Sequence, residues 1–215
     1  NPAAALAKPR RRPSRRRPLD YCEVEELVNA IRTTSRDPDL DLLLVRFHLE
    51  SGARREGALN LRRRDLDDRR ATTWLREKFG TEREQPISPS LVRLLTAHAE
   101  TRGGHGPDDA VFRFRDGRPI TRRRYNTIFD RARPCLVWSE RTPVCAHVLR
   151  YTAINDIGRV GGYAVAQAFA GHAPPSVTGL YLRARPCDVA VAVVTGEPHP
   201  LAGVAHDYLH GPIAQ

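Results

Sequence analysis

At 215 residues the chain is long enough for one large domain or two small ones, and 40% apolar content is adequate for a core. No apolar run reaches the roughly 18 residues that a membrane-spanning helix needs, and the N-terminus lacks the apolar stretch of a signal peptide, so we expect a cytoplasmic protein with no membrane contact. The formal net charge is +10, of which residues 1–18 supply seven basic groups and no acid, leaving 28 basic against 25 acidic residues, or +3, for the rest.

The segment ALAKPRRRPSRRRP combines proline with clustered arginine, which predicts an extended, solvated arm over residues 1–18 rather than a helix. It serves either as a linker kept soluble by charge or, through Arg10, Arg11, Arg12, Arg15, Arg16 and Arg17, as a strap across a DNA backbone. Apolar residues at Val24, Leu27, Val28 and Ile31 give a helical period over 23–34, and a second helix follows Pro38 over 39–50. A Gly-x-Arg turn, Gly52 to Arg54, opens the next segment, with apolar Ala58, Leu59 and Leu61. Strand patterns fall at 65–68, 72–76 and 84–88, and the last two flank a polar turn with Gly80, the signature of a hairpin. Further helices are predicted at 89–101, 121–133, 146–157, 163–170 and 175–183, with a loop over 111–121 that turns at Asp116–Gly117. Arg122, Arg123 and Arg124 open one of these helices, where they either meet phosphates or form a solvated face. The predicted fold is therefore mainly α with one small antiparallel sheet.

Cys22, Cys135, Cys145 and Cys187 are scattered without a C-x-x-C pair, so we read them as reduced small hydrophobes rather than disulfides or a zinc site. There is no internal repeat and no phosphate-binding glycine-rich loop, and nothing calls for a metal or other cofactor.

The chemistry is concentrated late in the chain. AHVLRY places His147 and Arg150 one helical turn apart on one face, AGH supplies His172, and LYLR places Tyr181 nine residues beyond that histidine. These are the parts for attacking a phosphodiester without a metal: a phenol nucleophile, an imidazole to manage protons, and donors for the non-bridging oxygens. Two further cations offer themselves, Arg54 after the Gly-x-Arg turn and Lys78 near the hairpin tip. Lysine occurs only at positions 8 and 78 against 33 arginines. A lysine can release its proton when its pKa is lowered, which arginine does not do, so Lys78 suits a general acid.

Taken together, Gly52 and Arg54, Lys78, His147 and Arg150, Gly171 and His172, and Tyr181 resemble the catalytic domain of the tyrosine recombinases, the phage-integrase family, over roughly residues 20–185. The resemblance implies a catalytic domain over 19–185 with the DNA breaking-rejoining fold. It also implies a site-specific recombinase that needs neither metal nor ATP. Tyr181 would form a covalent 3′-phosphotyrosine, Arg54 and Arg150 would clamp the phosphate, His147 would serve as base, His172 would add a hydrogen bond, and Lys78 would protonate the leaving 5′-oxygen. Double-stranded DNA is the implied substrate and a homo-tetramer on two DNA sites the implied assembly, which favours the strap reading of the arm. The family's usual N-terminal DNA-clamping domain is not in this sequence, and with Asn1 first and no methionine we expect the chain to be part of a longer protein. The tail, 186–215, is expected to dock on a neighbouring protomer. Two other readings remain open: relaxation of DNA in the manner of a type IB topoisomerase, and a DNA-binding regulator with relic catalytic residues.

The sequence departs from the family at one supporting position. Gly57 stands where a carboxylate usually follows the first arginine by three residues, and Glu56 comes one residue early, about 100° away around a helix. Tyr151 stands where a second histidine often follows the later arginine, and Pro174–Pro175 open the segment that leads to Tyr181.

Overall fold

The computed structural model describes residues 17–77, 80 and 82–171, so Lys78, His172, Tyr181, Arg10 to Arg16, the expected helix 175–183 and the tail 186–215 lie outside the described residues. Six α-helices, three short strands and several 3-10 turns make up this part. Helix α1 (Tyr21–Thr34) starts on a reciprocal cap: Asp20 accepts from Glu23 N at 2.9 Å, and the Glu23 side chain accepts from Asp20 N at 3.0 Å. The same Glu23 accepts from Arg17 Nη1 at 2.6 Å, so the last arginine of the basic arm is tied to the domain.

Helix α2 (Pro38–Ser51) is the central element. It packs against α1, α4 (Pro89–Thr101), the short α3 (Arg55–Leu59) and α6 (Ala146–Ala170). Its apolar residues therefore occupy more than one face, and Leu40, Leu44, Val45 and Phe47 are all buried. Its buried polar groups are paired. Asp41 takes both Arg124 Nε and Nη2 at 2.7 Å. Arg46 meets Glu50 at 2.6 Å and Ser90 at 2.7 Å.

Strands β1 (Leu66–Asp67), β2 (Thr72–Arg76) and β3 (Glu82–Pro86) form an antiparallel sheet in sequence order, with Thr72 opposite Pro86 and Arg76 opposite Glu82. The sequence placed β3 two residues later. Ser88 instead accepts from Leu91 N to cap α4, and Ile87 N bonds Ala71 O beyond the named ladder, so the chain is already turning into the helix by 87–88. The two helices expected at 146–157 and 163–170 are present within α6 as two helical stretches that meet at a kink, Gly162, whose left-handed φ of 75° breaks the helical backbone between them. Helix α5 (Arg122–Ala132) agrees with its sequence pattern, and Tyr125, Ile128, Phe129 and Ala132 are buried. Cys22, Cys135 and Cys145 are free thiols.

One buried pair fixes the end of α2. The His48 ring contacts Ala53 O through Nδ1 and the Tyr125 hydroxyl through Nε2, each at 2.9 Å. A carbonyl only accepts, so Nδ1 carries the hydrogen and the tyrosine donates to Nε2. Burial holds the His48 pKa down to about 4, keeping the ring neutral. A histidine whose folded pKa lies below its unfolded value of 6.5 takes up a proton more readily after unfolding. Its contribution is therefore fully present above pH 6.5 and is lost as pH falls towards 4. Between pH 6.5 and 5 His48 alone should cost about 2 kcal/mol of stability. Urea unfolding at pH 7 and pH 5 should show this fall together with one from His98, which burial also holds down to about 4, and His48→Gln should make the combined fall less steep; an equally steep fall in the variant would acquit His48.

Candidate active site

The site is assembled where α2 and α6 end. Helix α2 terminates at Gly52 with φ 57°, and a β-carbon there would stand 2.4 Å from the Phe169 ring, so position 52 needs glycine both for its backbone and for α6 to approach. The left-handed residue turns the chain sharply. Arg54, two residues on, then enters α3 as its N-cap. Helix α6 likewise ends on a left-handed glycine, Gly171 with φ 61°.

Arg150, from the second turn of α6, bridges these two ends. Its Nη1 donates to Gly52 O and its Nη2 to Ala170 O, the latter at 2.6 Å, and its side chain is 3% exposed. Burial lowers the guanidinium pKa to about 10, with the Arg54 and Arg83 charges pulling the same way and Glu77 opposing, so it stays cationic at neutral pH. His147 lies one turn earlier on α6 and is exposed, which places an imidazole at the solvent side of the same helix surface. The expected His147–Arg150 spacing is thus realised on a helix, with one residue at the rim and the other inside.

Arg54 is held by a residue that the sequence reading passed over. Glu77 accepts from Arg54 N through Oε1 at 2.5 Å and from Arg54 Nη1 through Oε2, and its side chain is fully buried. Its Oε1 also lies 3.9 Å from Arg150 Nη1. Glu56 does not support Arg54: its oxygens pair with Arg55 at 3.7 Å and Arg122 at 3.1 Å. Gly57 explains the exchange. A β-carbon at 57 would sit 3.4 Å from both Cγ and Oε1 of Glu77, so Glu77 reaches, from the end of β2, the space beside residue 57. The signal in the sequence was the glycine at the carboxylate's place.

A third guanidinium, Arg83 on β3, completes the cluster; burial brings its pKa down to about 10, with Glu77 opposing and Arg54 adding to the fall. Three cations against one carboxylate leave two positive charges in surplus. Neutral His48 adds none. Such a surplus, held in a partly desolvated pocket, favours a ligand that concentrates negative charge, as a phosphodiester does. Among the described residues no group of three or more His, Cys, Asp or Glu is placed to hold a metal ion.

The arginines expected to meet DNA at the start of α5 divide. Arg122 pairs with Glu56 and Arg123 is exposed, but Arg124 turns inward onto Asp41 with its side chain 10% exposed. Its guanidinium is spent on the core, because the helical rotation between neighbouring residues gives Arg123 and Arg124 different faces.

Residues 17–186 match the phage integrase family. The sequence matches no curated protein. Among solved structures the fold is similar to XerA recombinase, with TM-score 0.59 and 19% identity over 96% of this chain and 68% of that one. It is similar to a lambda integrase dimer bound to a COC' core site, with TM-score 0.60 and 17% identity over 85% of this chain and 51% of that one. An integrase from mycobacterium phage Brujita aligns with TM-score 0.57 and 18% identity, covering 92% and 64%. The chain thus spans from about half to two thirds of these solved chains.

Glu77→Ala should release Arg54 and lower the rate of covalent attachment to a nicked DNA by about 10²-fold, the scale of a ~1 Å misplacement. Adding Gly57→Asp, which returns a carboxylate from the α3 side, should recover part of that loss. A Glu77→Ala rate within threefold of the parent would show that Arg54 holds its place unaided.

Proposed function

Because the chain belongs to the phage integrase family, we propose that it is a tyrosine-type site-specific DNA recombinase, breaking and rejoining DNA through a covalent 3′-phosphotyrosine. The observation that carries this reading is the cluster of half-buried Arg54 with buried Arg150 and Glu77 and its positive surplus, with His147 one helical turn from Arg150, in the fold shared with recombinases and integrases. The lambda integrase structure is bound to a COC' core site, and a similar structure, that of the Tn1549 transposon integrase, is in complex with a circular intermediate DNA, which supports double-stranded DNA as the substrate here as well.

In the proposed reaction the Tyr181 hydroxyl attacks phosphorus and the bond to the 5′-oxygen breaks. Arg54 and Arg150 stabilise the charge on the non-bridging oxygens, fixed in advance by Glu77 and by the Gly52 and Ala170 carbonyls. A phenol has an ordinary pKa near 10, so its proton needs a base, and His147 at the rim is the group for it. Lys78 gives the leaving 5′-oxygen a proton, and His172 adds a hydrogen bond to the phosphate. Attack by a 5′-hydroxyl of another strand restores the phosphodiester and frees the tyrosine. The energy of the broken bond is stored in the phosphotyrosine, so ATP has no part. Exchange of strands between two sites calls for four copies of the chain, and the tail 186–215 is the segment we assign to contacts between them.

Tyr181→Phe should abolish covalent attachment to a nicked suicide substrate while leaving DNA affinity nearly unchanged. Arg150→Ala should slow attachment about 10²- to 10³-fold, the loss of one preorganised oxyanion donor. Covalent product in the Tyr181 variant, or an Arg150 variant within threefold of the parent, would reject the assignment.

The arm can be tested separately. Deleting residues 1–16 removes six basic groups and keeps the Arg17–Glu23 pair. If the arm covers about four phosphates, the slope of log affinity against log salt should flatten by about four, at roughly 0.9 per phosphate. An unchanged slope would make the arm a passive linker.

A further inference from the structure

Arg83 is poorly explained as a structural residue. It reaches from β3 under the ends of α2 and α6: its Nη2 lies 3.5 Å from Ser51 O, at the outer limit of a hydrogen bond. Its Nε and Nη1 are shut away from solvent and, among the described residues, have no hydrogen-bond partner. The other two guanidinia of the cluster are committed, Arg150 to Gly52 O and Ala170 O, and Arg54 to Glu77. Leaving buried, charged N–H groups unpaired costs more than leaving neutral ones, and the attraction of Glu77, which acts without a hydrogen bond to Arg83 among the described residues, offsets only part of it.

The backbone makes room for this side chain. A β-carbon at Gly171 would stand 2.6 Å from Arg83 Cδ and 2.8 Å from Nε, so any other residue there would collide with the arginine. Gly171 immediately precedes His172, and Arg83 therefore lies against the chain just where α6 leads to a proposed phosphate donor. A cation kept unsatisfied, among two others that face a single carboxylate, needs an acceptor that arrives from outside.

We propose that Arg83 is a third guanidinium ligand of the scissile phosphodiester, donating its uncommitted N–H groups to a phosphate oxygen. The assignment rests on the recombinase reading above. It makes Arg83 a catalytic residue in its own right, since its donors touch the reacting group, and it differs from a structural role in the sign of its effect on stability. Removing a structural arginine destabilises the fold. Removing an unsatisfied buried charge in favour of an apolar chain of similar length does not.

The test compares the parent with Arg83→Met and Arg83→Lys in covalent attachment to a nicked suicide substrate, alongside thermal unfolding without DNA. Arg83→Met should slow attachment about 10²-fold while its melting temperature equals or exceeds the parent's, and Arg83→Lys, which keeps the charge, should fall between. On a substrate whose scissile phosphate is replaced by a neutral methylphosphonate, the ratio of parent to Arg83→Met rates should shrink at least tenfold, because the charge that Arg83 answers is gone. An Arg83→Met rate within threefold of an active parent overturns the assignment, as does an equal penalty on both substrates accompanied by a lowered melting temperature. A parent that forms no covalent product overturns the recombinase reading and this assignment together, so the two failures are told apart by the parent lane.

Discussion

The Glu77 carboxylate works under an unusual balance. Buried like charges repel strongly, and Arg54, Arg83 and Arg150 all act electrostatically on one another or on this one acid. A second carboxylate would make the pocket easier to fold and worse at holding an anion. With none, three cations would have to be kept together by the fold alone. One acid, bonded to both the backbone and the side chain of Arg54, fixes the cation nearest the loop and leaves the others their field.

What replaces the missing negative charge is the backbone. Arg150 donates to Gly52 O and Ala170 O, and Arg83 approaches Ser51 O, so both lean on carbonyls at the C-terminal ends of α2 and α6. These are the orphan acceptors that a helix end leaves unsatisfied, and they carry the negative end of the helix dipole. Partial charges hold a guanidinium in place without cancelling it. The two left-handed glycines follow from the same requirement: Gly52 admits the Phe169 ring and Gly171 the Arg83 side chain, which lets the two helix ends share their cations.

The sequence disclosed this arrangement unevenly. Arg54, His147 and Arg150 could be read from order and spacing, and the helices that bear them follow from apolar periodicity. Glu77 could not, because in REKFG an acid beside a hairpin tip reads as solvated, and only the glycine at 57 hinted that a carboxylate must come from elsewhere. Arg83 was masked in the same way by the charged run EREQ, since strand alternation does not say which face looks inward when both carry charges. Arg122, Arg123 and Arg124 are equivalent in the sequence and separate only once Asp41, 83 residues away, claims the third. Each of these residues is placed by a partner distant in the chain, and local pattern carries no information about such partners.

Burial gives a physical reason for arginine rather than lysine at positions 83 and 150. Desolvation brings the guanidinia of Arg83 and Arg150 from 12.5 down to about 10, which leaves them charged at neutral pH. A lysine starts from a lower pKa, so the same burial would bring it closer to losing its charge at neutral pH. Arginine is therefore the residue for a site that must stay positive while dry. The same arithmetic, turned round, suits lysine to giving a proton away, which is the part the proposed mechanism reserves for Lys78. In that mechanism permanent cations would hold the phosphate, and a group able to give up its proton would serve the leaving oxygen.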